Sequence, residues 1–298
     1  MKPDRLFRVF QAIHCWADNV RRLATPRPAW RAEAEFAYYQ FDPTALAGQL
    51  ERQKTWQRTG HAAGFGLVQS LMQTFSGLAW LANKRVLEIG AGECMLGQAL
   101  VRAGAREVFA VDAVPKQIWA AAACGEKNLR CGIADALDLP FADQSFDLVV
   151  ANLVLHHIRP LPQLLSEVFR VLGAGGWFCA LEPAPLCGLL VHEQTSDNEA
   201  PLWPGAVASA LIDSGFGQVE HNYVWVRFAT SLLGPFSPSY RIAAHKPGEG
   251  TTALGWRRQP KPSTLPGLWI DSGCRFSPLV AAQQQQLCEC LRSSGWTL

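Results

Sequence analysis

The sequence has almost no net charge and no long apolar run. Its 298 residues carry 27 Lys and Arg against 25 Asp and Glu, a formal net charge of +2. This balance argues against a protein that binds nucleic acid or an anionic membrane, because such partners select strongly basic surfaces. No run reaches the roughly 18 apolar residues of a membrane-spanning helix. With 49% hydrophobic and 17% charged residues, the chain is not disordered throughout, and a packed core is expected.

The cysteines lack the spacing of a metal site or a disulfide scaffold. There are nine, an odd number, and none forms a Cys-x-x-Cys pair. Cys288 and Cys290 are too close together for a zinc ribbon. Met1–Arg22 contains Asp4 and Arg5 and lacks the apolar stretch of a signal peptide. We therefore expect a reduced cytoplasmic chain without a metal ion.

The hydrophobic pattern changes near residue 84. Before it, Leu6, Phe10 and Ile13 recur at helical spacing, and residues 44–81 are also helical in pattern, so residues 1–83 are predicted to form a helical cap. After it, short apolar runs alternate with helical segments, which is typical of parallel strands covered on both faces. The predicted strands are Arg85–Gly90, Glu107–Ala113, Leu129–Asp135, Phe146–Asn152, Gly176–Glu182, Gln218–Val226 and Tyr240–Lys246. The helices predicted among them are Met95–Ala103, Pro115–Cys124, Leu161–Leu172 and Pro204–Ser214. Residues 84–247 are thus predicted to form a Rossmann-like, doubly wound α/β domain of seven strands.

The composition changes again after residue 247. Residues 246–266 contain four prolines and three glycines, which predicts a linker or an extended strap. Residues 279–291 follow with the pattern of a terminal helix. Residues 248–298 are therefore predicted to be a linker and a C-terminal extension.

A glycine motif, VLEIGAGECMLG at Val86–Gly97, lies at the end of the first predicted strand. Glycine lets the backbone turn sharply and brings a ligand against the amides of a helix N-terminus. For the motif alone, a tight turn without a ligand is the less favoured alternative. Asp112 and Asp135, at the ends of the next two predicted strands, favour a ligand, because an acid there can bind ribose hydroxyls. Met95 replaces the last glycine of a dinucleotide fingerprint, and the chain has no phosphate-binding GxxxxGK[ST] loop.

Four segments resemble the class I S-adenosylmethionine-dependent methyltransferases. They are Val86–Leu100, Val108–Pro115, Asp135–Ile158 and Arg170–Pro183. The resemblance is strongest to the subgroup that includes ubiquinone, menaquinone and many natural-product methyltransferases. It covers residues 84–183 well and 204–247 more loosely. It implies the seven-stranded class I fold with an antiparallel last strand, S-adenosylmethionine as the cofactor and S-adenosylhomocysteine as its product.

The resemblance also implies roles for individual residues. Glu88 would help to hold the methionine end of the cofactor, above the backbone of Gly90–Gly92. Asp112 would bind the two ribose hydroxyls. The implied cofactor-binding residues are Glu88, Gly90, Ala91, Gly92, Asp112, Ala113, Asp135, Ala136, Asn152 and Leu153.

Within that set, the residues that end the third and fourth strands have their own parts. Asp135 would bind the adenine amino group, with the Ala136 amide facing the ring. Asn152 and Leu153 would contact the methionine portion. Cys94 stands where many members have a third glycine, and we interpret it as a tolerated departure.

The candidate catalytic residues are His157, His156 and Glu182. Methyl transfer mainly requires alignment of the acceptor with the methyl group, and a hydroxyl acceptor also requires a base. Some similar O-methyltransferases use a histidine of this pair, supported by an acid after the fifth strand. His157 is the preferred base. The alternative is structural, since the Leu-His-His sequence also occurs in members with other acceptors and a histidine could cap the following turn.

Additions around the domain would select the acceptor; they are residues 1–83, the loop Leu186–Trp203, the segment Phe228–Ser239 and the C-terminal extension. They are rich in aromatic residues that suit an apolar or cationic ligand. These residues are Trp16, Phe36, Tyr38, Tyr39, Phe41, Trp56, Trp203, Trp225 and Phe236. We expect O- or N-methylation of a small molecule, with natural-product biosynthesis as the expected setting. The alternatives are ubiquinone-type C-methylation and a non-catalytic protein that binds the cofactor. No Asn-Pro-Pro-Tyr motif follows the fourth strand, which disfavours nucleic acid as the acceptor. Monomer and homodimer both remain open.

Overall fold

A computed structural model of the chain describes residues 78–114, 126–185, 202–227, 236–250, 254–263, 267–273 and 277–293. Most of the predicted N-terminal cap, residues 1–83, lies outside these residues, as does the helix predicted at Pro115–Cys124. Most of the expected acceptor loops, Leu186–Trp203 and Phe228–Ser239, also lies outside them. Of the aromatic residues expected in those additions, the described Trp203 is exposed and immediately precedes a helix.

A single sheet organises the described residues. Its strands are β1 (Arg85–Ile89), β2 (Glu107–Asp112), β3 (Leu129–Ile133), β4 (Phe146–Asn152), β5 (Leu172–Pro183), β6 (Gln218–Arg227), β7 (Phe236–His245), β8 (Pro260–Pro262) and β9 (Leu268–Asp271). Their order is β6-β7-β5-β4-β1-β2-β3-β9-β8. Strands β1 to β5 pair in parallel, whereas β7 is antiparallel to both β5 and β6. The predicted doubly wound α/β class is confirmed.

All seven strands predicted within residues 84–247 are present, and the sheet extends beyond them. Residues after 247 supply two more strands: β9 pairs in parallel with β3, and β8 pairs antiparallel with β9. The sheet therefore has nine strands. The pattern concealed them because both are short and because β8 contains Pro260 and Pro262. Proline cannot donate a ladder hydrogen bond and is tolerated chiefly at sheet edges, which is where β8 lies.

The helices cover both faces of the sheet. They are α1 (Met95–Arg102), α2 (Leu161–Val171), α3 (Pro204–Asp213) and α4 (Ser277–Ser293), with short 3-10 turns at Leu78–Leu81 and Leu155–His157. Each of the four corresponds to a helix predicted from the sequence, with ends that differ by at most two residues. Prolines in the first turns of α2 and α3 suit helix starts, where an amide has no helical partner. No helix among the described residues is long and apolar enough to cross a membrane.

Two hydrophobic clusters fill the spaces between sheet and helices. One includes Val86 and Val108 of the sheet, Leu100 of α1 and Leu291 of α4. The other joins residues such as Phe109 to α2, α3 and Trp269 of β9. The central strands β1, β2 and β4 are buried on both faces, which explains their largely apolar sequences. The C-terminal extension contributes to both clusters.

Candidate active site

Two glycines shape the turn that follows β1. Gly90 and Gly92 have φ values of 63° and 51°, a left-handed conformation that favours glycine. A Cβ atom on Gly90 would lie 2.0 Å from Val154 Cγ2, whereas one on Gly92 would meet no atom of the described residues within 4 Å. The Ala91 amide donates to the Val111 carbonyl at 3.0 Å and ties the turn to β2. The turn therefore packs closely beside β4 at Gly90 and leaves open space at Gly92.

The Asp112 carboxylate is fixed at the end of β2. One oxygen accepts from the Gly92 amide at 2.9 Å, and the other accepts from the Val114 amide at 2.8 Å. Ala113 lies between Asp112 and Val114 in the sequence. The Gly92 and Val114 amides use two of the roughly four acceptor positions of a carboxylate. The acid and the open glycine backbone thus form one structural unit.

Asp135 begins the loop after β3. Its side chain is 8% exposed and accepts from the Leu137 amide at 2.9 Å, while its carbonyl accepts from the Asp138 amide at 3.1 Å. Such a turn is common for aspartate. It holds Ala136 in place at the strand end. This geometry is compatible with Asp135 stabilising the turn and also with Asp135 binding a ligand.

Glu88 lies beneath α1. A Cβ atom on Gly97 would lie 2.6 Å from the Glu88 Oε2 atom, and the Glu88 residue is 3% exposed. Burial raises the pKa of Glu88 to about 8; the Gly97 amide opposes this rise and the charge of Asp112 adds to it. The side chain is therefore largely uncharged near neutral pH. Its contact with the methionine end of a cofactor remains a prediction.

Cys94 occupies a backbone position that favours glycine. It precedes α1 with a φ of 54°, a conformation that costs a residue with a Cβ atom about 1 kcal/mol. Its buried Sγ lies 3.8 Å from the Sγ of Cys131. Burial, followed by the contact with Cys131, raises the pKa of the Cys94 thiol well above its usual range. The thiol is therefore a packing group rather than a reactive one.

The end of β4 lies beside the glycine turn. Asn152 pairs with Leu181 of β5, and the Leu153 amide donates to the Leu181 carbonyl at 2.8 Å. Leu153 is itself left-handed, with a φ of 57°. The next residue, Val154, is the one that approaches Gly90. The predicted methionine-contacting residues therefore lie close to the predicted cofactor turn.

Glu182 organises the two histidines. It is fully buried, and its Oε1 accepts from the amides of Val154 and Leu155, each at 2.9 Å. Its Oε2 lies 2.7 Å from Nδ1 of His156, whose side chain is 13% exposed. The His156 and His157 ring centroids are 4.1 Å apart. Among the predicted catalytic residues, the structure thus joins Glu182 directly to His156, not to the preferred His157.

Tyr240 was not predicted as part of this site. It lies on β7 directly opposite Glu182 and is fully buried. Burial, and then the charge of Glu182, raises the pKa of the phenol well above its usual range. Nothing in the sequence marks this residue, because the pairing of β5 with β7 is what brings it to Glu182.

Residues 87–180 match a family model described as a methyltransferase domain. The chain contains a methyltransferase domain. Over these residues, the match bears out the predicted resemblance to methyltransferases. All ten predicted cofactor-binding residues and both histidines lie within the methyltransferase domain match. Glu182 and Tyr240 lie beyond it.

Known proteins resemble parts of the chain. A probable phthiotriol/phenolphthiotriol dimycocerosates methyltransferase 2 of Mycobacterium ulcerans (strain Agy99) is 33% identical over 150 residues, 48% of this chain and 51% of that protein. A demethylmenaquinone methyltransferase of Clavibacter sepedonicus is 28% identical over 201 residues, 58% of this chain and 82% of that protein. The chain thus spans about half the length of the mycobacterial relative.

The fold of the methyltransferase domain also has solved counterparts. A chain from the complex of the Haloferax volcanii Trm112 methyltransferase activator with a methyltransferase superposes with a TM-score of 0.53 and 18% identity. The match covers 70% of this chain and 98% of that one. At this identity the likeness shows the fold alone, and that fold is the one predicted.

The residues at the strand ends fit S-adenosylmethionine, the cofactor of this class. The space beside Gly92 admits a ligand against the backbone, and Asp112 presents a carboxylate whose position is already fixed. Asp135 and Ala136 stand at the next strand end, where the open edge of an α/β sheet binds its ligands. Among the described residues, no group of three or more His, Cys, Asp or Glu side chains is arranged to hold a metal ion.

Proposed function

We propose that this protein transfers the methyl group of S-adenosylmethionine to an oxygen or nitrogen atom of a small-molecule acceptor. The observation that carries the proposal is the unit formed by the open Gly92 backbone and the Asp112 carboxylate, 2.9 Å apart, within a matched methyltransferase domain. The near-neutral charge of the chain, +2, supports an uncharged or weakly charged acceptor rather than nucleic acid.

The residues at successive strand ends would each bind a different part of the cofactor. Asp112 would accept hydrogen bonds from the ribose hydroxyls, and Asp135 would accept one from the adenine amino group. Asn152 and Leu153 would lie against the methionine portion. The bound cofactor supplies an electrophilic methyl group. The protein's own task is then to align the acceptor and exclude water, which accounts for a large part of the acceleration in reactions of this kind.

His156 is the better candidate for a base when the acceptor is a hydroxyl. Its Nδ1 is 2.7 Å from the buried Glu182 carboxylate, and a neutral ring that donates there has Nε2 free of a proton. Nε2 of His156 would take the acceptor proton, and the Glu182 carboxylate would stabilise the resulting imidazolium. Glu182 is thus a positioning residue for His156. His157 stays an alternative, without this carboxylate contact.

The cofactor assignment predicts that Asp112→Asn weakens binding of S-adenosylhomocysteine about 10- to 100-fold. The substitution keeps the shape of the side chain but removes the charge-assisted acceptor, worth about 1.5–3 kcal/mol. Isothermal titration calorimetry measures the effect. Asp213→Asn, at an exposed position on α3, is the matched control and should bind like the unmodified protein. An unmodified protein that binds neither S-adenosylmethionine nor S-adenosylhomocysteine would overturn the proposed function.

The base assignment predicts that His156→Asn lowers the rate of methyl transfer to a hydroxyl acceptor about 100-fold or more, while binding of S-adenosylhomocysteine stays unchanged. Transfer of radiolabelled methyl from S-adenosylmethionine to a panel of phenols, alcohols and amines supplies the assay. His157→Asn is the matched comparison and should lose less than tenfold. If His157→Asn were inactive and His156→Asn active, the result would assign the role of the base to His157.

C-methylation of a quinone precursor is a second candidate. The similarity to the demethylmenaquinone methyltransferase favours it, at 28% identity over 58% of this chain. A quinol in the acceptor panel tests it directly, because the labelled methyl would then resist demethylating agents that cleave ethers. Tight binding of S-adenosylhomocysteine without transfer to any acceptor would instead favour a non-catalytic cofactor-binding protein.

A further inference from the structure

A segment outside the family match binds the loop that follows β3. This C-terminal ribbon, residues 254–263, runs alongside residues 138–142. The Ala142 amide donates to the Gly255 carbonyl at 3.0 Å, and the Arg257 amide donates to the Pro140 carbonyl at 2.7 Å. The rings of Phe141 and Trp256 stack with centroids 5.1 Å apart. The ribbon is therefore attached to the loop by both backbone and side chains.

Arg258 of the ribbon is held by two carboxylates. Its Nε and Nη2 atoms donate to the two oxygens of Asp271, at 3.0 and 2.6 Å. Its Nη1 donates to Asp138 Oδ2 at 2.6 Å, and its Nη2 also reaches the Asp138 carbonyl. A paired contact of this kind fixes orientation as well as distance. Asp271 itself is fully buried at the end of β9, so the anchor of the guanidinium is rigid.

The chain closes tightly around this guanidinium. A Cβ atom on Gly273 would lie 2.6 Å from the Arg258 Nε atom, so only glycine allows this approach. The Gly273 amide also donates to Asp271 Oδ1 at 3.0 Å. Arg257 forms a second ion pair with Asp138. The end of β9 and the ribbon together thus form a fixed frame for Asp138.

Asp138 completes the turn that begins at Asp135. The Asp138 amide donates to the Asp135 carbonyl, and the Leu137 amide donates to the Asp135 carboxylate. Helix α2 holds the same loop from its other side, through a bond from Gln163 Nε2 to the Leu137 carbonyl at 2.9 Å. The conformation of the Asp135 turn therefore depends on contacts from two directions, one of them the C-terminal frame.

We propose that Arg258 is a positioning residue for cofactor binding. Acting through Asp138, it fixes the Asp135–Leu137 turn in the conformation that receives the adenine end of S-adenosylmethionine. This inference rests on the proposed function, which assigns Asp135 to the adenine amino group. Loss of the contact leaves the turn free to sample other conformations, and binding must then select the competent one, so the apparent affinity falls by the competent fraction.

Binding of S-adenosylhomocysteine to the full chain tests the role of Arg258. We expect Arg258→Ala to raise the Kd about tenfold and Arg258→Lys to raise it less, because lysine keeps the charge but not the two-point contact. With an acceptor from the panel, the KM for S-adenosylmethionine should rise in parallel, whereas kcat should stay within about twofold of its original value. Hydrogen exchange of residues 135–142 should become faster. Arg102→Ala, which removes an exposed ion pair with Glu126, is the control and should change none of these.

A second variant separates positioning from folding. Asp138→Asn weakens the contact between Arg258 and the partly exposed Asp138 side chain, and it leaves the pair of Arg258 with Asp271 intact. It therefore tests the positioning role even if Arg258→Ala does not fold. It should raise the Kd for S-adenosylhomocysteine at least threefold without lowering the Tm. An unmodified protein that fails to bind overturns the proposed function. Binding by the unmodified protein with equal Kd values in the folded variants overturns only the role of Arg258.

Discussion

Gly132→Ala is expected to destabilise the protein by about 3 kcal/mol. The new Cβ would lie 2.1 Å from Trp269 Cζ2, and two further atoms of the same ring lie within 2.4 Å. Gly132 pairs with Trp269 across β3 and β9, so relief requires a shift of the indole or of the whole strand. The indole is 8% exposed and packed in a core cluster, which leaves it little room. Urea unfolding, monitored by circular dichroism, measures the loss of stability.

A second substitution tests whether the clash with Trp269 is the cause. Trp269→Leu alone should also destabilise, because it leaves a cavity. The double variant Gly132→Ala/Trp269→Leu should nevertheless be more stable than the sum of the two changes predicts, by about 2 kcal/mol. Gly205→Ala on α3, where a Cβ would meet no atom within 4 Å in the described part of the chain, should be neutral or slightly stabilising. Strict additivity in the double variant would contradict the pairing of β3 with β9.

Gly90→Ala is expected to cost about 4 kcal/mol of stability. The positive φ costs a Cβ-bearing residue about 1–2 kcal/mol. The clash adds about 1–3 kcal/mol, because the new Cβ would lie 2.0 Å from Val154 Cγ2 and 2.7 Å from Val154 Cβ. Valine is branched at Cβ and has little rotamer freedom with which to move away. Differential scanning calorimetry should show the transition at a markedly lower temperature.

Gly92→Ala is the matched variant, since it has the same left-handed backbone but open space around its Cβ. It should lose only about 1 kcal/mol of stability. Its binding of S-adenosylhomocysteine should nonetheless fall at least about tenfold, because the methyl group occupies the space through which a ligand approaches the backbone. Equal stability of the Gly90 and Gly92 variants would contradict the packing at β4, and normal binding by Gly92→Ala would contradict the placement of the cofactor.

The sequence predicted the structure best where the local hydrophobic pattern reflects burial of the strand. Strands β1 to β4 are continuously apolar because they are covered on both faces, and the acids that follow β2 and β3 fall at the sheet edge that parallel connectivity dictates. This is why Asp112 and Asp135 could be placed at a common site without knowledge of the structure. Cys94 was also marked in advance by its departure from glycine, and the structure gives it a left-handed backbone.

Features that depend on contacts between distant segments could not be predicted. His156 and His157 are neighbours in the sequence, and only the path of β5 shows that Glu182 meets the first of them. Tyr240 acquires its place from the pairing of β7 with β5. The strands β8 and β9 are short and flanked by prolines and glycines, so composition favoured a linker. Their strand character comes from pairing with β3 and from the burial of Trp269.

The two added strands also change what counts as the minimal folding unit of this protein. In a sheet that stopped at β3, that strand would present an unpaired backbone edge. Here β9 pairs with β3, and β8 forms the edge of the sheet instead. Because the prolines of β8 cannot donate backbone hydrogen bonds, this edge is poorly suited to pairing with a strand of another chain. The family match ends at residue 180, yet the described strands and helices continue to residue 293. Trimming the chain to residues 87–180 would therefore remove the strands that cover the edge of β3, together with the residues that hold the Asp135–Leu137 turn.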